Sequence, residues 1–207
     1  IQDAMRFFKP LPVHLDLEQR FSRMIRAGYL ERNPVQGEFR PATKHRLEAF
    51  KMEGGTPNRL RPNGFTILGM SGVGKTTGVE AILSLYPQVV VHTCYRERPF
   101  THVQLTWLKL DCPHDGSIRG LCLDFFQTID QLLDTHYYQH YARRGRATTD
   151  ELLPALARVG AAHSLGVLVI DEIQLLNGSG CSTSLCSWST SLGCRWCWSA
   201  RPKRGRY

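Results

Sequence analysis

Gly69-Met70-Ser71-Gly72-Val73-Gly74-Lys75-Thr76 fits the pattern G-x-x-x-x-G-K-[ST] at every fixed position. Each residue type answers a need of triphosphate chemistry. Glycines let a loop close around phosphate oxygens without Cβ clashes, so that backbone N–H groups meet the charge. The Lys75 ammonium is placed to reach the β- and γ-phosphates, and the Thr76 hydroxyl is placed to ligate Mg2+. A helix beginning at Lys75 adds the partial positive charge of its N-terminus. The whole of Gly69 to Thr76, with Thr77 behind it, is therefore read as a binding loop for a nucleoside triphosphate, with ATP the expected ligand. A glycine turn matching by chance is the competing reading, and the flanking strand and helix signals weigh against it.

A second chemical signal lies 96 residues after Lys75. Val167-Leu168-Val169-Ile170 is an apolar run that ends in Asp171-Glu172. Asp171 suits Mg2+, directly or through water, and Glu172 suits polarising the water that attacks the γ-phosphate. Two solvated carboxylates at a strand end are the bland alternative, and the phosphate loop in the same chain favours the functional one. Glu172 and Lys75 are thus the expected catalytic residues, and Thr76 and Asp171 the expected metal ligands. Asp111-Cys112-Pro113-His114-Asp115 lacks a second ligand pair at zinc spacing and reads as a loop. Arg143-Arg144-Gly145-Arg146 reads as a basic turn that could touch phosphate backbone or an acidic partner, though a solvated loop explains it as well.

These residues need a scaffold, and the surrounding pattern supplies one. Phe7-Phe8-Lys9-Pro10-Leu11-Pro12 predicts an extended arm. Leu15, Leu17, Phe21, Met24, Ile25 and Tyr29 at helical spacing predict a helix, and a second is expected over 42–52. From Gly64 the pattern alternates. Strands are expected at 65–68, 88–92, 103–110 and 166–171, with helices at 75–86, 117–138 and from Thr148 to His163. Continuous apolar strands alternating with helices predict an α/β fold, a mostly parallel sheet covered on both faces. The expected organisation is an N-terminal arm with helices over 1–60, an incomplete P-loop core over 61–180 and an aberrant, disordered tail over 181–207.

Composition fits a packed protein: 42% of the 207 residues are hydrophobic and 21% charged. No run of about 18 apolar residues occurs, and the start at Ile1 carries no leader-like pattern, so a cytoplasmic protein without membrane contact is expected. The net charge of +8 is concentrated in residues 181–207, whose five basic residues and no acids leave only +3 for the first 180. Charge by itself therefore makes no case for nucleic acid.

With these motifs in hand, residues 6 to about 180 resemble the TniB/TnsC family of AAA+ ATPases that regulate DNA transposition. Phe7-Phe8-Lys9-Pro10 and Met24-Ile25-Arg26-Ala27-Gly28-Tyr29-Leu30-Glu31-Arg32-Asn33-Pro34 resemble the family segment ahead of the ATPase core. Gly69 to Thr77 resembles its P-loop, and Asp171-Glu172-Ile173-Gln174 its Walker B element. The resemblance implies a three-layer AAA+ core, ATP-driven assembly of a ring or filament of copies on DNA, and partners that include a transposase and target-selection proteins. Two alternatives stay open: a nucleotide-binding remnant without turnover, and another DNA-linked AAA+ ATPase of origin-recognition or helicase-loader type.

The resemblance stops after Gly180. The tail holds Cys181, Cys186, Cys194 and Cys197 and three of the four tryptophans, and it has no Val, Ile, Met, Phe, Asp or Glu. A sensor-1 strand, an arginine finger and a helical lid are expected there and cannot be read. Back-translated with suitable codons and read one base earlier, 181–205 can give an amphipathic helix, an apolar strand and a polar turn, which predicts a frameshift. A four-cysteine zinc knot is the alternative, at irregular spacing. A frameshift predicts the loss of a core parallel strand and poor stability.

Overall fold

A computed structural model describes residues 9–31, 64–95, 97–142, 147–176 and 195–200; for 27, 28, 30, 31, 98 and 195–200 only the backbone is described. The expected helix over 42–52, the arm before Lys9 and the basic turn 143–146 lie outside the described residues.

The N-terminal helix α1 (Pro12–Glu31) is amphipathic, with Phe21, Met24 and Ile25 buried along one stripe. That stripe packs on Val79, Ile82 and Leu83 of α2 (Lys75–Leu83) and on Val167 and Val169 of β5 (Val167–Asp171). Between α1 and α2 runs β1 (Gly64–Leu68), whose Phe65 meets Phe21 edge-on at 5.2 Å between ring centres. The opposite face of the sheet carries Leu108 and Leu110 of β4 (Trp107–Asp111) with Leu168 and Ile170 of β5. Against them pack α3 (Ile118–Leu133), through Leu121, Phe125, Phe126 and Ile129, and α5 (Thr149–Ala162), through Leu152, Ala155, Leu156 and Val159. Helices cover both faces of a parallel sheet, so the three-layer α/β architecture read from the sequence is present.

Two expected elements divide. The run over 103–110 is two strands in different sheets. β2 (Val89–Tyr95) pairs antiparallel with β3 (Arg98–Leu105) as a two-stranded ribbon, while β4 joins β5 in the main sheet. The exchange of partners happens at Leu105 and Thr106, whose backbone groups bond Gln88, His163, Gly166 and Val167. Every backbone N–H and C=O of these two residues is satisfied although the partner strand changes, which is why an apolar run can hide the break. The helix expected over 117–138 stops at Asp134, in the left-handed conformation, and α4 (Tyr137–Ala142) starts afresh. Asp130 forces that restart, its carboxylate accepting from Thr135 Oγ1 at 2.6 Å and from the Tyr137 and Tyr138 N–H groups at 2.7 Å.

The expectation that the strand after β5 is lost is corrected. β6 (Arg195–Ala200) lies between β1 and β5 and pairs in parallel with both, from Gly64↔Trp196 to Leu68↔Ala200 and from Val167↔Arg195 to Ile170↔Trp198. The main sheet runs β1-β6-β5-β4. Strand pairing is made by backbone N–H and C=O groups, and a short proline-free segment can satisfy two open strand edges without the usual aliphatic side chains. Among the described residues no helix is long and apolar enough to cross a membrane.

Candidate functional site

The loop between β1 and α2 is shaped by two glycines. Gly72 and Gly74 have φ of 81° and 83°, and a Cβ built on either meets nothing within 4 Å. Against the protein's own atoms, backbone conformation rather than crowding is therefore what requires glycine at both positions. Gly74 is also the residue before the first turn of α2, and no side chain caps that helix end. The amide groups at the start of α2 are left to whatever occupies the loop. Met70 and Val73 turn outward, 71% and 57% exposed, and Ser71 and Thr77 are exposed as well. The variable positions of the motif thus point away from the fold.

Lys75 curls back over the loop. Its Nζ donates to the carbonyl oxygens of Gly69 and Met70, each at 2.8 Å, which holds the ammonium at the mouth of the loop. Thr76, one residue on, points toward the sheet. Its hydroxyl donates to Asp171 Oδ2 at 2.7 Å, and Asp171 is only 5% exposed at the C-terminal end of β5. The second oxygen of Asp171 accepts from the Glu172 N–H at 2.9 Å. Glu172 joins the group through its backbone, with φ of 53°, and its carboxylate accepts from the side-chain amide of Gln174. The structure therefore brings Lys75, Thr76, Asp171 and Glu172 to one end of the sheet.

The donor set suits the expected ligands. A hydroxyl and a buried carboxylate are hard oxygen ligands of the kind Mg2+ takes. An ammonium and an uncapped helix N-terminus are phosphate-binding groups.

Sequence reasoning placed Asp111 in a loop, where the structure has it in a strand, and did not single out Lys109. Asp111 ends β4 in direct register with Asp171, and strand alternation puts both on the face that α2 covers. Lys109, two residues earlier on that face, bonds Glu80 Oε1 of α2 at 2.9 Å and Asp111 Oδ1 at 3.2 Å. Burial by itself would lower the Lys109 pKa, but the Glu80 hydrogen bond and the Asp111 charge outweigh it and hold it above the ordinary lysine value. The signal was available as the period-two spacing of Trp107, Lys109 and Asp111, hidden by the assignment of 103–110 to one strand. Among the described residues no cluster of His, Cys, Asp and Glu has the arrangement of a separate metal site.

Compared with known families, residues 60–192 match the model of the AAA domain. No curated protein matches the chain.

Proposed function

Because the chain belongs to the AAA domain family, and so is a nucleotide-binding ATPase of AAA+ type, we propose that it hydrolyses ATP with Mg2+ at this site and regulates DNA transposition through ATP-driven assembly on DNA. The observation that carries the site reading is the Thr76–Asp171 hydrogen bond, which joins the phosphate loop to the acidic strand end.

In this reading the glycine-shaped loop and the α2 N-terminus bind the phosphates, and Lys75 leaves its loop carbonyls for the β- and γ-phosphate oxygens. Thr76 and Asp171 hold Mg2+, which when bound neutralises phosphate charge. Glu172 orients a water and accepts its proton as the water oxygen bonds to the γ-phosphorus. The bond from that phosphorus to the β–γ bridging oxygen breaks, and the electron pair leaves on ADP; the products are ADP, inorganic phosphate and one proton.

Support for the transposition assignment is the resemblance of the α1 segment, the P-loop and the Asp171-Glu172-Ile173-Gln174 element to the TniB/TnsC pattern. Partners in that role are double-stranded DNA, further copies of the chain and a transposase. The test is sedimentation of the purified chain with and without double-stranded DNA and a non-hydrolysable ATP analogue. The expected result is a large assembly that needs both, and a monomer under all conditions would reject this role while leaving the ATPase site untouched.

A further inference from the structure

Gln174 has no part in the nucleotide chemistry described so far, yet it lies directly against the proposed base. β5 is buried through Asp171, after which the chain turns sharply. Glu172 takes the left-handed conformation, and the 3-10 turn Ile173–Leu175 follows, closed by Leu175 N–H on the Glu172 carbonyl at 2.9 Å and Leu176 N–H on that of Ile173 at 3.1 Å. Left-handed backbone is unfavourable for a residue with a Cβ and persists only where its surroundings fix it. Here the surroundings are evident. Ile173 and Leu175 pack on the main apolar core, Leu176 is buried, and the Glu172 N–H is bound by Asp171. The turn is thus anchored by its apolar members, and it brings the side chain at 174 back beside the one at 172.

The group delivered there is an amide. Gln174 Nε2 donates to Glu172 Oε2, so one carboxylate oxygen is tied to a rigid turn. A flexible glutamate has three side-chain torsions, and a base is effective only when its lone pair meets the proton it takes. We propose that Gln174 is a positioning residue whose amide N–H fixes the Glu172 carboxylate for proton abstraction from water. This inference rests on Glu172 being the base.

The discriminating variant is Gln174→Glu, which keeps length and shape and removes the donor, assayed beside Gln174→Ala and Glu172→Gln in the full chain. Both Gln174 variants should lose about 10-fold or more in kcat while ATP affinity stays within about 2-fold. In the Glu172→Gln background, Gln174→Glu should have no further effect, because there is no carboxylate left to orient. Unchanged kcat in both Gln174 variants, with Glu172→Gln inactive, overturns the inference and leaves the base assignment standing. Full turnover in Glu172→Gln overturns the base assignment itself. The side-chain amide resonances of Gln174 test the contact without any turnover: they should shift clearly in Glu172→Ala, and unmoved resonances would mean that the bond is not made.

Discussion

Thr76 and Asp171 stand 95 residues apart in the chain, and the hydroxyl of one donates to the carboxylate of the other at 2.7 Å. The bond ties the first turn of α2 to the end of β5, so that two separately encoded motifs form one site. Removing the hydroxyl in Thr76→Ala leaves a buried carboxylate oxygen without that partner and, on the proposed reading, takes away a ligand of Mg2+. ATP turnover should fall at least 100-fold, whereas Thr76→Ser should retain most of it. Steady-state ATPase assays over a Mg2+ titration read both, and equal loss in the serine and alanine variants would contradict the role of the hydroxyl.

Gly74 should resist substitution for a reason that can be separated from crowding. A Cβ there meets nothing within 4 Å, yet φ is 83°. Gly74→Ala should cost about 1 kcal/mol or more in stability through left-handed strain alone. Gly69 has ordinary φ and a Cβ contact at 3.3 Å to Val73 Cγ2, so Gly69→Ala should be milder in chemical denaturation.

Helix α1 is packed as part of the nucleotide-binding body. Phe21 is fully buried against α2, β1 and β5, and Phe21→Ala should cost about 3–5 kcal/mol. Urea unfolding followed by circular dichroism should show one transition shifted as a whole. A separate early transition with an unshifted main one would mean that α1 is an independent appendage.

Acid sensitivity should come from the base of the β2–β3 ribbon. Burial first, and then the neighbouring His92 and His163, hold the His102 imidazole below the ordinary 6.5, while burial does the same for His163, partly offset by a backbone bond at Val103. The rings bond Ser164 Oγ and Tyr137 Oη, each at 3.0 Å. The unfolded chain takes up protons near 6.5, and the folded chain does so only at lower pH. Their contribution is therefore complete above that value and declines as pH falls from about 6.5 through the folded values. Denaturation midpoints should be level from about pH 8 to 7 and drop below 6.5, and His163→Gln should flatten that drop.

The parts legible in the sequence were those fixed by local constraint. The glycine pattern at 72 and 74 was legible because glycine takes their positive φ at least cost, although the reading gave avoided Cβ clashes as the reason; β5 was legible because burial on both faces leaves an unbroken apolar run ending at Asp171. The division at Leu105 and Thr106 was hidden because the change of partner is made by backbone bonds to residues up to about 60 positions away, which leave no composition signal. Strand β6 was hidden for a related reason: a Trp, Cys and Ser segment carries no aliphatic pattern, and its place is set by the open edges of β1 and β5. Gln174 was visible as a letter in the Walker B element, but its bond to Glu172 depends on a left-handed turn that the sequence does not mark.

The most direct measurement of the central claim is ATP turnover by the purified chain beside Glu172→Gln, with nucleotide affinity measured on both. The account predicts that both bind ATP alike and that the variant turns over at least about 100-fold more slowly. Equal turnover in the two proteins, or no ATP binding by either, would contradict it.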